Sequence, residues 1–422
     1  MRAASKARGA ATLVVVMVLF LVMALLAAYA NRALMFEQRV ASSYFRASLS
    51  QEMAEAGIEW SLSMLNSTAI DGTCTPVNQG GQRFADRYLG FDAANRVIKP
   101  ITPVSRIMVD CTRSSAEGWT CRCPAPNARV VPTAIGGEGL VPSFGLRITS
   151  EKGGRPAELV FSAQGCTDSV VDRCNNTRSN SKNLQGLTVY KAVVSLVSAV
   201  RTPPAAPIIV KKNLVITGGG LGLHNTDPRS AGLLYVTGGS TPVGLVDSRL
   251  DSVPGTAAAL ARVSDDETLK NADTDAFKMF MGATASRYAQ HPALRKLACN
   301  GDCGAALAAA YTSGMRMIWV DGPLSLSSNQ TLGSAADPLL LIATGDVTLS
   351  GPFQLTGMLV VRGNLSWSNT SALPSLITGM VLVEGDAATD GQMDVVYQQA
   401  LADQLRNRMG SYVRVSGGWI DQ

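Results

Sequence analysis

Residues Ala10 to Ala30, AATLVVVMVLFLVMALLAAYA, form a run without a single charge, Gly or Pro. As a helix this run would be roughly 31 Å long, the thickness of a bilayer's hydrocarbon core. The next Gly is Gly57 and the first Pro is Pro76, so nothing breaks a helix between Ala10 and about Asn66. Such a helix would be on the order of 85 Å long, with one half in lipid and the other outside it. The preceding stretch, MRAASKARG, carries Arg2, Lys6 and Arg8 and no acid. Cations on that side place the N-terminus in the cytoplasm and everything beyond Ala30 across the membrane.

Ala27-Ala28-Tyr29-Ala30 offers small residues where a secretory signal would be cut, but cutting there would discard the helix. A short basic leader ending in Gly, followed by a long apolar segment, resembles a type IV prepilin leader. The resemblance implies cleavage after Gly9 by a prepilin peptidase and methylation of the new N-terminus at Ala10. The helix, with Thr12, Leu13 and Val14 near its start, then stays in the mature protein as its membrane and filament helix. An uncleaved anchor is the alternative.

From Asn31 to Asn66, Leu34, Val40, Phe45, Leu49, Met53, Ala56, Trp60 and Met64 recur at helical spacing. They describe an amphipathic spine that packs its stripe on a globular head. Ala54 to Gly57 reads AEAG; together with RGAATLVVVMVLFLVMALLAAYA it resembles the N-terminal region of the PilX family of type IV pilus minor pilins. The resemblance covers about the first 65 residues and rests on the combination, since AEAG alone carries no weight. Major pilins have Glu at the fifth mature position, where it neutralises a neighbour's buried amine. Counting from Ala10, that position here is Val14, and the first acid after the leader is Glu37. An unpaired amine in an apolar bundle is costly, so the resemblance points to the tip of a filament rather than its middle.

The 422 residues suffice for two or three domains. Charged residues make up 16% and the net charge is +5, with the bases scattered; no basic-aromatic stripe suggests nucleic acid. Eight cysteines, Cys74, Cys111, Cys121, Cys123, Cys166, Cys174, Cys299 and Cys303, all follow the apolar run. Beyond an exported anchor their default state is disulfide. With only His224 and His291, and neither beside a Cys motif, no metal site is expected. Proximity suggests Cys166 with Cys174 and Cys299 with Cys303, leaving the other four to pair among themselves. The CxC at Cys121 and Cys123 lacks the βαβ context of a redox motif.

The expected fold class is α+β. Residues 1–9 are the leader, 10–66 the spine helix, and 67–201 a disulfide-rich, pilin-like head. In that head, strands are expected over 144–149, 157–163 and 187–200, the first two joined at Glu151-Lys152-Gly153-Gly154 as a hairpin. A small antiparallel sheet on the spine follows. The Pro-rich stretch 202–210 is a stiff connector.

Over 211–422 short apolar strands end repeatedly in Gly, as in NLVITGG, LLYVTGG, LLLIATGD, GMLVVRGN and GMVLVEGD. Their spacing of about 20 residues suggests a parallel β-solenoid, with a β-sandwich as the alternative. An Ala-rich helical insertion is expected to project at about 255–314, and a last helix is expected from Val395 to Met409.

Parallel β-helices include polysaccharide-cleaving enzymes, which need clustered carboxylates or calcium. Asp321, Asp346 and Asp386 beside the glycines are explained as turn formers, which leaves a weak calcium alternative. TGGGLGLHN lacks the helix and distant acid of a dinucleotide site. The expectation is therefore no catalysis and no cofactor. The resemblance implies a minor pilin or tip component that primes pilus assembly from the inner membrane, with its head in the periplasm and later at the cell surface. Its partners would be minor and major pilins and a PilY-type adhesin. The alternatives are a K-like pseudopilin of type II secretion and a membrane-anchored adhesive or carbohydrate-active β-helix protein.

Overall fold

The computed structural model describes residues 8–92, 97–101, 107–114, 118–126, 128, 130, 140–149, 158–174 and 186–421. Most of the leader and the 151–154 connection lie outside these residues. The fold is α+β: one long N-terminal helix, then a mainly-β head with several sheets and short helices.

The spine helix, Arg8–Leu65, is a single element of 58 residues. It runs unbroken because its sequence offers no helix breaker before Gly57, where packing overrides propensity. Against its C-terminal end lies a six-stranded antiparallel sheet, ordered Gly410–Asp421, Leu187–Ser198, Glu158–Cys166, Ser143–Thr149, Val109–Ser114 and Gly118–Arg122. The three expected strands form its centre. Phe144, Leu146 and Ile148 alternate onto the buried face with Leu159, Phe161 and Ala163. In the third strand the buried set is Ala192, Val194 and Leu196, on the opposite parity to Leu187, Val189 and Lys191.

The edge strand is the C-terminal tail. Gly410–Asp421 leaves the second part of the head and returns to pair with Leu187–Ser198, so 211–422 is not one separate body. Asn66 supports the return: its Nδ2 donates to Tyr412 O and its Oδ1 accepts from Tyr412 N, both at 2.8 Å. The tail is thereby tied to the end of the spine.

Between these ends, strands stack in parallel in two facing sheets. Ile318, Leu341, Leu359, Val381 and Ile208 lie in successive register on the inner face. Trp319, Ile342, Val360, Leu382 and Ile209 form the matching outer row. Burial on both faces explains why these strands read as continuous apolar runs.

The stack is not wound in chain order. Ile208–Val210 enters in the middle, between Tyr235–Thr237 and Leu376–Val383. From there the chain reaches one end at Arg262–Val263, crosses to the other at Arg295–Leu297, and returns to the middle.

The Ala-rich segment does not project as expected. Phe277 and Tyr288 lie over the outer row beside Trp319, because that apolar row needs a cover. The last helix is shorter than expected, Gln399–Asn407, since Val395 belongs to the strand Met393–Val396.

Candidate functional site

The residues that the sequence singles out at the N-terminus all fall on the free half of the spine. Gly9 and Ala10 lie in its first turn. Leu13 is 62% exposed and Val14 58%. From Thr12 to Ser48 nearly every residue is exposed, including Phe20, Leu26, Phe36 and Phe45. The span Thr12–Leu65 contains a stretch long and apolar enough to cross a membrane. The stripe expected to pack on the head is thus only half used. Leu34, Val40 and Phe45 are exposed, whereas Met53 and Met64 are buried.

Docking begins between Arg46 and Ser50, where a Cβ on Gly186 would stand 2.4 Å from Arg46 O and Leu49 packs on the core of the head, and it depends on small side chains. Ser50 is buried, and its Oγ lies 2.7 Å from Thr188 Oγ1 on the sheet. Ala54 is fully buried. A Cβ on Gly57 would stand 2.9 Å from Ala163 Cβ and 3.0 Å from Phe144. A Cβ on Gly165 would stand 1.9 Å from Ser50 O. Helix and strand backbones touch here because both lack bulk, which gives AEAG a physical role the sequence alone did not supply. Trp60 closes the contact, with its ring 5.6 Å from Phe84 and 5.7 Å from Phe144.

All eight cysteines are paired: Cys74–Cys123, Cys111–Cys121, Cys166–Cys174 and Cys299–Cys303. Two of the turn acids, Asp346 and Asp386, tie the turns of neighbouring parallel strands together. Asp346 Oδ1 accepts from the Asn364 backbone and side chain, and Asn364 Oδ1 accepts from Asp386 N. Asp386 Oδ1 in turn accepts from Asn213 N and Nδ2. Asp321 accepts from Trp319 Nε1 at 2.6 Å. Among the described residues no group of three or more His, Cys, Asp or Glu is arranged to hold a metal ion.

One constellation escaped sequence reading. His224 Nδ1 lies 2.6 Å from Asp251 Oδ2, and its Nε2 lies 3.0 Å from Asp394 Oδ1, which also accepts from Arg249 Nη2 at 2.7 Å. These residues sit on neighbouring strands of the stack but far apart in sequence. Only the interleaved stacking order would have revealed them. Both ring nitrogens face carboxylates, so His224 staples three neighbouring strands and has no free nitrogen to activate a hydroxyl.

Residues 8–59 match the family model described as PilX N-terminal. No curated protein and no solved structure matches the chain. The match covers the free half of the spine and ends within the Ser50–Trp60 docking segment. It makes this region type IV pilin-like, points to pilus components as the class of partner, and agrees with a helix able to serve as a membrane anchor.

Proposed function

We propose that this chain is a minor pilin or tip component that primes type IV pilus assembly and carries a large head. The observation that carries the reading is the length of the exposed apolar rod. The Ala10–Ala30 run already matches a bilayer, yet Leu34, Met35, Phe36, Val40, Tyr44 and Phe45 remain uncovered beyond it. Neighbouring helices in a filament would cover them.

Val14 supports a terminal position. Without a carboxylate there, nothing on this helix neutralises the amine of a subunit stacked above it. The chain is processed after Gly9, held by its helix in the inner membrane with the head in the periplasm, and then displayed at the tip. Its partners are major and minor pilins and a PilY-type adhesin, and its role is assembly rather than catalysis.

The test is the N-terminus of protein from sheared filaments and, separately, from membranes. Methylated Ala10 in the filament fraction is expected. Intact Met1, confined to membranes, would replace the pilin reading with an anchored surface protein. A Gly9→Ala variant is expected to stay unprocessed and out of filaments; normal cutting at that bond would refute the leader assignment.

A further inference from the structure

A cavity of about 540 Å³ opens where the antiparallel sheet meets the Ala276–Tyr288 segment. This is the size of a small-molecule site. Val197, Met281 and Val413 give it apolar walls. Arg201 and Arg287 also line it; both are exposed, and neither has an ion-pair partner among the described residues. None of the lining residues is acidic.

Arg201 is held in place by its neighbours. Thr202 N donates to Phe280 O at 3.0 Å. The Arg201 stem crosses Gly282, where a Cβ would stand 2.6 Å from its Cδ. Gly282 ends the helix Ala276–Met281 with φ at 84°, so glycine suits both the turn and the stem that lies on it.

His291 adds a neutral imidazole to the lining. Ser411 Oγ accepts from Ala293 N at 2.8 Å and lies 2.5 Å from His291 Nδ1. Burial holds the imidazole below its usual range and keeps it uncharged near neutral pH.

We infer that this cavity binds a small organic carboxylate with an apolar body. Guanidinium groups match a carboxylate in charge and in fork geometry. The apolar walls reward the rest of the molecule, a contribution inorganic anions cannot make.

The experiment uses the full chain in lipid nanodiscs, with empty nanodiscs as the blank and saturation-transfer NMR as the readout. The probe is 4-phenylbutyrate, the neutral isostere is 4-phenylbutanol, and inorganic phosphate is the anion control. Phenylbutyrate is expected to bind with Kd at or below about 1 mM. Arg201→Gln and Arg287→Gln are each expected to weaken it about tenfold while leaving phenylbutanol unchanged. Both arginines are exposed, and an unchanged circular-dichroism melt confirms that the variants fold. No binding up to about 10 mM would overturn the inference. So would equal binding of the alcohol, equal binding of phosphate, or indifference to both substitutions. Filament incorporation is not measured, so failure here is distinct from failure of the pilin reading.

Discussion

The two β-parts of the head reach stability by different means. The antiparallel sheet packs an apolar face under the spine, while its other face is largely polar, with Asp110, Thr112, Ser162 and Gln164 buried and Arg147, Lys191 and Ser195 half-buried. Three of the four disulfides belong to this part. The parallel stack buries both faces of its larger sheet, and has one disulfide, at its end. A sheet with only one apolar face gains from covalent staples, whereas one with two apolar faces can rely on its core.

The sharpest test of the contrast is Trp367→Ala. Trp367 is 1% exposed, and its Nε1 donates to Ser375 Oγ at 2.9 Å. Its loss is expected to cost about 3–5 kcal/mol in chemical denaturation. A cost below about 1 kcal/mol would mean that the stack is not held by its core.

Next comes the covalent side. Replacing Cys74 and Cys123 together by Ser opens a loop spanning a sequence separation of 49 and is expected to cost about 2–4 kcal/mol. The Cys299 and Cys303 double serine opens a loop with a separation of only 4, and its effect should be much smaller. Equal losses by thermal melting would remove the distinction between the two parts.

The third test compares the halves of the spine. Gly57→Leu forces a side chain against Ala163 and Phe144 and should cost about 1–3 kcal/mol. Val22→Ala, in the free half, should move folding stability by no more than about 0.5 kcal/mol. If both variants melted alike, the docking boundary near Ser50 would be misplaced.

Local pattern made the individual elements legible. Alternation at Phe144, Leu146 and Ile148 declares a half-buried strand, and LLLIA declares one buried on both faces. Lateral order was not legible. Nothing in Ile208–Val210 states that it will lie beside Val381–Val383, because parallel partners are chosen by global closure rather than by a turn. The same ignorance hid His224 with Asp251 and Asp394, and the return of Gly410–Asp421 to the first sheet. The free half of the spine was legible as a membrane run, but the start of docking was not. That boundary is set by Gly186 and Gly165 on the head, partners the helix sequence does not contain.

The smallest expected effect concerns the end of the stack that carries its disulfide. Asp302 Oδ1 accepts from Gly304 N at 2.8 Å, and its Oδ2 accepts from Ser327 N at 3.0 Å and from the Ser327 hydroxyl. Led by the Ser327 hydroxyl, these donors favour the carboxylate and lower its pKa from the ordinary 3.8. A group with a lower pKa in the folded state stabilises above its unfolded value and loses that contribution as pH falls through the folded one. Acidification below the usual carboxylate range should therefore loosen the Cys299–Cys303 loop from the Leu324–Ser327 segment beside it. Asp302→Asn cannot accept as a carboxylate does, so it should be slightly less stable at neutral pH and lose this part of the acid sensitivity. Melting curves of both proteins down through that range decide the matter. If the two curves stay parallel, the loop is held by Leu307 and its core neighbours instead, and the end of the stack is apolar like its middle.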